Sequence, residues 1–395
     1  MKKILTIAAV LLAGSLYAQT PPESKPYVFT EIKTLATTPV KNQARSGTCW
    51  SFSGVGQIES DLLRTGRGEV ILSDMWIVRC TYMDKAEKYV RMHGTVNFDA
   101  GGNTHDIFNV IRKYGIVPES VYPGLNYGTD QHTHNEVNAV LKAYLEAVIK
   151  NPNRTLSTAW AAGFNGILDA YFGKMPETFT YQGKSYSPES FAADLGLNWD
   201  DYISLASFTH HPFYERFALE IPDNWAWGLS YNIPLDDLSK ILKNSIEQGY
   251  TATWSSDVSE SGFQYALGFA ILPATSAKEI SGSDQARWTG ISDADLWEMN
   301  AKVTGMMPEK QVTQELRQLY FDNYQTTDDH GMVIVGTATD PDGNLFYKVK
   351  NSWGVSNLYD GYFYVSPAFI LCKTTNLMVN KAAIPADIKA KLGIK

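Results

Sequence analysis

The feature that most constrains the fold of this chain is a change of hydrophobic period between its two ends. From Cys49 to Arg64 the apolar residues recur at helical spacing, and Gly66 follows as a C-terminal cap. Ser73 and Asn103 stand at the starts of two further amphipathic runs, where they are predicted N-caps. The early part of the chain is therefore predicted to be helical.

The last part of the chain shows short β-prone runs instead. Four strands are predicted, at Met332–Ala338, Leu345–Lys350, Gly361–Ser366 and Asn376–Asn380. A turn at residues 340–344 joins the first two strands as a hairpin. Helices near one end and strands near the other indicate an α+β fold.

The region between these parts, residues 129–320, gives mixed signals. Helices are predicted at Val137–Ile149 and Leu235–Gln248, and a small hairpin is predicted at Phe179–Tyr186. We interpret this region as a large, mostly helical insertion.

Composition and charge exclude several classes of protein. Hydrophobic residues make up 44% of the 395 positions, enough for one large core or two moderate ones. The formal net charge is −8 and no run of Lys or Arg occurs, which argues against nucleic acid as a partner. His210-His211-Pro212 lacks a matching ligand pair, so it is interpreted as a structural loop, and neither a metal nor a cofactor is predicted.

Residues 1–18 have the pattern of a secretory signal peptide. Lys2 and Lys3 form the charged start, Ile4–Leu16 the apolar stretch, and Gln19 the predicted mature N-terminus. A membrane anchor is the alternative, but the apolar stretch is short for a bilayer span. We therefore expect export to the periplasm or the extracellular space, with no membrane anchor after cleavage.

Export would permit disulfides, but the chain has only three cysteines. Cys80 and Cys372 could pair or stay buried and reduced, and Cys49 is expected to be free.

Cys49 is the candidate nucleophile because it begins the first predicted helix, whose dipole favours a thiolate. His330 is the candidate acid and base, and it is predicted to form an ion pair with that thiolate at neutral pH. Asn351 is predicted to orient the imidazole, and Trp353 to shield their hydrogen bond from water. Gln43 is predicted to donate its side-chain NH2 to the oxyanion, beside the Cys49 backbone N–H.

Each of these residues also has an ordinary structural interpretation. A lone cysteine is usually a core residue, and a lone histidine, asparagine or glutamine is usually a strand-end or loop residue. The occurrence of all four in order, each in its local context, favours catalysis. Asp328 and Asp329 directly precede the histidine and are predicted to tune or position it.

Motifs at both ends of the chain resemble the papain family of cysteine peptidases: Gln43 to Phe52, Gly101-Gly102, Asp329-His330, and Asn351-Ser352-Trp353-Gly354 followed by Gly361-Tyr362. The resemblance implies a papain-like fold in which Cys49, His330, Asn351 and Gln43 have the roles just described. It also implies that Gly101, Gly102 and Trp353 belong to the substrate-binding cleft.

One branch of that family is indicated by the length of the chain. His330 follows Cys49 by about 280 residues, whereas about 130–150 separate these residues in papain-like enzymes. Thr251–Phe263, and Leu377–Lys381 with Pro385, are similar to bleomycin hydrolase and bacterial aminopeptidase C. That resemblance implies an aminopeptidase whose C-terminal arm reaches into the cleft, usually within a hexameric barrel.

Two features depart from the pattern. Ser46 stands where ordinary papain-like enzymes have a disulfide cysteine, and only residues 386–395 follow Pro385, which is short for the arm. Trimming from N-termini and a hexameric homo-oligomer are therefore expectations from the resemblance alone.

We divide the chain into a signal peptide at 1–18, a helical half with the nucleophile at 19–128, and the insertion at 129–320. A β-rich half with the histidine and asparagine follows at 321–385, and a tail at 386–395. The predicted function is hydrolysis of peptide substrates by a cysteine peptidase, as an aminopeptidase. Two alternatives stay open: an endopeptidase with an unblocked cleft, and an inactive relative that binds peptides.

Overall fold

The computed structural model describes residues 25–274 and 303–395. The predicted signal peptide at 1–18 and part of the predicted insertion, residues 275–302, lie outside the described residues. The described α-helices are α1 Cys49–Arg64, α2 Asp74–Arg91, α3 Thr104–Tyr114, α4 Asn135–Ile149, α5 Ala159–Phe172, α6 Pro188–Asp194, α7 Leu235–Gln248, α8 Gln314–Asp322, α9 Pro367–Lys373 and α10 Ala386–Leu392.

The described β-strands are β1 Thr30–Thr34, β2 Phe179–Tyr181, β3 Lys184–Tyr186, β4 Tyr202–Ala206, β5 Arg216–Ala218, β6 Leu229–Asn232, β7 Ala252–Ser256, β8 Phe263–Gln264, β9 Phe269–Ala270, β10 His330–Thr339, β11 Leu345–Lys350, β12 Tyr362–Val365 and β13 Thr374–Asn380. All except β2 and β3 belong to one sheet with the order β5-β6-β4-β13-β7-β10-β11-β12-β9-β8, and β1 pairs with β10. Most neighbouring strands are antiparallel, and His330 begins β10 opposite Ser256 of β7.

Helices α1 and α7 cover opposite faces of this sheet. Alternate residues of a strand face opposite sides. A Cβ added at Gly56 of α1 would lie 3.4 Å from Val333, so Val333 faces α1. Its neighbours Met332 and Ile334 belong instead to the buried cluster that contains Ile241 of α7. Cys49, at the start of α1, therefore lies on the face of the sheet away from α7.

Helix α10 packs on the α7 face. Its apolar residues Ile388 and Leu392 are buried in the same cluster as Ile241. Lys391 Nζ lies 3.2 Å from Tyr214 Oη and 3.5 Å from a carboxylate oxygen of Asp237 in α7. The C-terminal helix is thus on the opposite side of the sheet from Cys49.

Local signals in the sequence match the ends of several elements. Helix α1 ends at Arg64 as predicted, and Gly66 has a positive φ of 78° that terminates it. The Ser73 hydroxyl accepts the N–H of Trp76 and caps α2, while Gly115 ends α3. The predicted bounds of α7 and β11 agree with the structure residue for residue.

The α+β class predicted from the sequence is confirmed. Residues 129–320 contain strands β4 to β9 as well as helices α4 to α7. These strands extend the same sheet that carries His330. This part of the chain therefore shares its core with the β-rich half. Among the described residues, none of the helices has the length and apolar character needed to cross a bilayer.

Candidate active site

The nucleophile is positioned by the contact between the start of α1 and the start of β10. Cys49 is the first residue of α1 and is partly exposed. The backbone N–H of Gly331 lies close enough to its thiol sulfur, Sγ, to favour the thiolate and lower the pKa of Cys49. A Cβ at Gly331 would lie 2.7 Å from Ser53 Oγ and 3.3 Å from the Cys49 carbonyl oxygen, so only glycine allows this approach without displacing Ser53.

His330 directly precedes that glycine and is held by two neighbours. Its ring nitrogen Nε2 lies 2.7 Å from Asn351 Oδ1, and both side chains are buried. The indole of Trp353 stacks on the imidazole, with ring centroids 4.5 Å apart and an interplanar angle of 29°. Because Nε2 donates to Asn351, Nδ1 is the nitrogen that can exchange a proton with the thiol. Trp353 covers the imidazole, as predicted from the sequence.

Gln43 is tied to the same loop from the other side. Its backbone N–H donates to the Ser352 carbonyl at 2.8 Å, and its Oε1 accepts the Ser352 hydroxyl at 2.6 Å. With the side-chain carbonyl engaged, the NH2 is the group left to meet an oxyanion. Cys49 can add its own backbone N–H, because the first N–H groups of a helix have no partner within the helix. The sequence did not indicate the role of Ser352.

Burial acts on both members of the thiol–imidazole pair. Loss of solvent raises the pKa of the Cys49 thiol to about 12, although the Gly331 N–H opposes this shift. Burial also lowers the pKa of His330 to about 4, against the hydrogen bond to Asn351. Burial alone therefore favours a neutral thiol beside a neutral imidazole, unlike the ion pair predicted from the sequence. Proton transfer creates both charges together, so their attraction and the helix dipole must offset desolvation.

Gly101 and Gly102 lie beside the residue that follows the nucleophile. The indole N–H of Trp50 donates to the Ala100 carbonyl at 3.0 Å. A Cβ on Gly102 would be 2.7 Å from the Trp50 ring, and a Cβ on Gly101 would be 2.1 Å from a carboxylate oxygen of Asp223. Close packing against the Trp50 ring therefore favours glycine at 102, and a side chain at 101 would displace the Asp223 carboxylate. Both glycines, which were predicted to bind substrate, lie next to Trp50, the residue after Cys49.

A buried cluster of charges holds the catalytic segments together behind α1. Lys41 Nζ lies 3.0 Å from Glu59 of α1 and 2.8 Å from Asp74 of α2. Glu59 also accepts the Thr38 hydroxyl, and Lys350 Nζ donates to the Thr38 carbonyl at 2.8 Å. We call these five residues the rear cluster. They join the segment before Gln43 and the strand before Asn351 to the helix of Cys49.

The rear cluster shifts the pKa values of its members. Burial alone would lower the pKa of Lys41, but Asp74 and Glu59 outweigh burial and raise it. Burial raises the pKa of Asp74 to about 6, with Lys41 opposing, and lowers that of Lys350 to about 8. This cluster could not be predicted from the sequence, because its members are scattered along the chain.

A second group of polar residues, far along the sequence from the nucleophile, has the composition of a metal site. His210, His211 and Glu220 place potential ligand atoms within 4.8 Å of one another. However, the Thr209 N–H donates to Gln318 Oε1 at 2.6 Å, which directs the NH2 of Gln318 to His210 Nδ1 at 3.0 Å. His210 Nδ1 then accepts, so Nε2 carries the proton and donates to Glu220 at 3.0 Å.

This tautomer leaves His210 Nε2 without a free lone pair for a metal ion. Second-shell groups that support a metal ligand instead accept from its distal N–H. The cluster is therefore built as a hydrogen-bonded loop, in line with the structural interpretation of His210 and His211.

The three cysteines are all free. Cys80 in α2 and Cys372 in α9 are buried, and burial raises the pKa of the Cys372 thiol to about 11. Of the two alternatives that the sequence left open, the structure has the second: Cys80 and Cys372 are both reduced and buried. Ser46, at the position of the absent disulfide cysteine, forms a hydrogen bond with Thr48 instead.

Two family models match different parts of the chain. Residues 28–188 match the papain family cysteine protease model, and residues 279–394 match the peptidase C1-like family model. The first match includes Gln43 and Cys49, and the second includes His330 and Asn351. The four residues brought together by the fold are thus divided between the two matches.

Known relatives are similar over most of this chain. Aminopeptidase C of Lactobacillus delbrueckii subsp. lactis is 23% identical over 397 residues, covering 89% of this chain and 81% of its own length. Aminopeptidase W of the same organism is 23% identical, covering 90% and 83%. Cysteine proteinase 1, mitochondrial, of Saccharomyces cerevisiae strain YJM789 is 21% identical, covering 92% and 79%.

The solved structure of PepW from Lactobacillus rhamnosis HN001 has a similar fold. It superposes with a TM-score of 0.69 at 21% identity, covering 92% of this chain and 84% of that one. This similarity shows that the two chains share a fold.

Proposed function

Because this chain belongs to the papain-like cysteine peptidases, we propose that it hydrolyses peptide bonds as an aminopeptidase acting on free N-termini. The observation that carries the chemistry is the 2.7 Å hydrogen bond between His330 Nε2 and Asn351 Oδ1. The next residue, Gly331, has its backbone N–H beside the Cys49 sulfur, so the imidazole and the thiol belong to one site. The aminopeptidase activity is supported by the relatives named aminopeptidase C and aminopeptidase W.

The geometry supports a two-stage reaction through an acyl-enzyme. Cys49 gives its proton to His330 Nδ1, and the thiolate attacks the carbonyl carbon of the first peptide bond. The resulting oxyanion is met by the Cys49 N–H and the Gln43 NH2. His330 then returns the proton to the leaving amine as the C–N bond breaks. In the second stage, neutral His330 takes a proton from water, and the hydroxide oxygen displaces the thiolate and releases the amino acid.

Selective alkylation tests the catalytic pair. Iodoacetamide at near-neutral pH should label Cys49 faster than Cys80 or Cys372, because those two are buried whereas Cys49 is partly exposed. His330→Ala should reduce this difference by slowing the labelling of Cys49, because it takes away the proton acceptor. Mass spectrometry of tryptic peptides gives the three rates. Equal labelling of all three cysteines in the native protein would contradict the proposal.

One observation favours the endopeptidase alternative. Helix α10 packs on α7, on the sheet face away from Cys49, so the described C-terminal segment is not in the cleft. A pair of peptides separates the two activities, one with a free N-terminus and one N-acetylated. An aminopeptidase should release single residues from the first and leave the second intact. Internal cleavage of the acetylated peptide would replace the aminopeptidase proposal with an endopeptidase.

We also propose that the protein is exported to the periplasm or the extracellular space. The support is the charged and apolar pattern of residues 1–18. Cell fractionation with N-terminal sequencing should find a mature chain beginning at Gln19 outside the cytoplasm. A full-length chain confined to the cytoplasm would overturn this proposal.

Assembly into a homo-oligomer, hexameric by resemblance, is a separate proposal. Light scattering of the purified protein at several concentrations should give a mass near six chains. A constant mass of one chain would exclude it.

A further inference from the structure

Two carboxylates of the cleft remain unexplained by the catalytic chemistry. The first is Asp223, which follows β5 in a loop and is only partly buried. Its carboxylate lies against the backbone of Gly101, with both oxygens within 2.3 Å of the position that a Cβ would occupy. Asn97 Nδ2 approaches the same carboxylate at 3.4 Å. Asp223 therefore lies against Gly101, and the adjacent Gly102 contacts Trp50, the residue after Cys49.

The second carboxylate is Asp328, two residues before His330. It comes from the β-rich side of the cleft and is also only partly buried. The Thr375 hydroxyl is 3.5 Å from its Oδ1, a weak contact. The charges of Asp223 and Asp328 both raise the pKa of the Cys49 thiol, so both carboxylates act on the nucleophile.

Neither carboxylate is neutralised by a close cation. Among residues 25–274 and 303–395, no Lys, Arg or His nitrogen lies within 4.0 Å of either one. Lys85 attracts Asp223 at longer range, but its ammonium group is bound to the carbonyls of Asp99 and Gly101.

The neighbouring charges are mostly negative. Asp99 faces Asp223, and Asp329 adjoins Asp328. Burial and the nearby charges of Asp223 and Asp329 raise the pKa of Asp328 to about 8. A cation arriving between the two carboxylates would relieve this repulsion and release the proton of Asp328.

We propose that Asp223 and Asp328 form the subsite that binds the substrate's α-ammonium group. In a peptide, the α-nitrogen is about 2.5 Å from the carbonyl carbon of the same residue, from standard bond lengths. A free N-terminus must therefore lie beside Cys49 whenever the first peptide bond is attacked, where the charges of both carboxylates act. This inference rests on the proposed aminopeptidase activity and names the residues that select for it.

The subsite also accounts for selectivity without a contribution from helix α10, which packs on the α7 face of the sheet. An acetylated N-terminus is neutral, so it would leave both carboxylates crowded and unpaired, which disfavours binding. A charge-assisted hydrogen bond contributes enough to change kcat/KM about 10- to 100-fold. The carboxylates thus make a free amine a requirement of binding, even though α10 lies elsewhere.

Three coumarin amides test the assignment with the full-length protein: alanyl, acetyl-alanyl and acetyl-lysyl-alanyl aminomethylcoumarin. Wild type should prefer the alanyl amide over the acetyl-alanyl amide. Asp223→Asn and Asp328→Asn should each lower kcat/KM for the alanyl amide by about 10-fold or more, mainly through KM, and leave the acetyl-alanyl amide unchanged or improved. Asp236→Asn, the same change at an exposed position of α7, is the matched control and should alter neither rate.

Each result bears on a different part of the argument. If wild type itself prefers the acetylated substrates, the aminopeptidase proposal fails. If wild type needs the free amine but both Asn variants retain that preference, the subsite assignment fails. The assignment also fails if the two carboxylates matter only for the acetyl-lysyl-alanyl amide, because the cation would then be a side chain.

Iodoacetamide labelling of Cys49 that stays faster than that of Cys80 and Cys372 in the variants verifies that the active site is folded. A folded variant with a lost preference for the free amine supports the proposal.

Discussion

Two groups of charged residues near helix α1 differ in how their charges are paired. Behind the helix, the rear cluster pairs Lys41 with Glu59 and Asp74 at hydrogen-bonding distances. At the start of the helix, which we call the front side, the charges of Asp223 and Asp328 act on the Cys49 sulfur, and within the described residues neither has a cation within 4.0 Å. The rear charges are paired within the protein, whereas the front charges would be paired by a cation of the substrate.

This difference separates groups that stabilise the fold from groups that bind. A paired buried charge is strongly destabilising when one partner is removed, because the other is left uncompensated. A like-charged pair lowers stability in the free protein, and its removal relieves strain. Substitutions on the two sides should therefore change stability with opposite signs.

The largest expected effect is on the rear side. Glu59→Gln removes the negative charge beside Lys41 and leaves one side-chain oxygen, so the Leu72 N–H, now 2.8 Å from Glu59, and the Thr38 hydroxyl no longer each have an acceptor. We expect the free energy of unfolding to fall by about 3–5 kcal/mol. Urea denaturation followed by circular dichroism measures this. Glu247→Gln, at an exposed position 3.9 Å from Lys243, is the control and should stay within about 0.5 kcal/mol of wild type.

The front side should show the opposite sign, with a dependence on pH. The pKa of Asp328 is raised to about 8 in the fold, so the folded state holds a proton that the unfolded chain loses near pH 4. Wild-type stability contributed by this group is therefore present at low pH and is lost as pH rises towards 8. Asp328→Asn should be more stable than wild type by about 1–3 kcal/mol at pH 8, and this gain should vanish near pH 4.

The adjacent carboxylate supplies a control of opposite sign. Burial raises the pKa of Asp329, but hydrogen bonds from Ser259 and Thr327 outweigh burial and lower it overall. Its contribution to stability is present at neutral pH and is lost in acid, so Asp329→Asn should be less stable than wild type at pH 8. Urea titrations at several pH values compare the two variants. Equal shifts of the same sign would break the comparison between paired and unpaired charges.

The smallest effect is expected for the hydrogen bond between Ser352 and Gln43, whose loss should change kcat. Ser352→Ala removes the 2.6 Å bond to Gln43 Oε1 but leaves the backbone bond between the same residues. We expect kcat to fall about fivefold, equivalent to about 1 kcal/mol, with little change in KM, because the oxyanion donor loses its orientation. Steady-state kinetics with the alanyl amide measure this. An unchanged kcat would mean that Gln43 is oriented by other contacts.

The predictable parts of the site are those written in local sequence. Cys49 at the start of α1, the glycine that ends that helix, and the hairpin before β11 all depend on neighbours along the chain. Such signals fixed the identity of the nucleophile and the ends of the elements that carry it. The resemblance of short motifs then linked Cys49 to His330 and Asn351 across about 280 residues.

The contacts between distant segments could not be predicted in this way. Lys41, Glu59 and Asp74 look like surface charges in the sequence, because burial is decided by how α1, α2 and the preceding loop pack. Asp223 lies in a loop of the middle region, and nothing near it in the sequence shows that its carboxylate meets Gly101. The strands of that region joined the main sheet for a similar reason, since pairing depends on partners far along the chain.

The sequence by itself determined which atoms perform the chemistry, because a helix start, a glycine and a strand edge are set by short-range steric and hydrogen-bonding preferences. Only the tertiary structure decided the protonation states of those atoms and which substrates the site favours. Desolvation and the distances between carboxylates, lysines and the sulfur depend on the packing of remote elements, and these set the pKa of Cys49, His330 and Asp328.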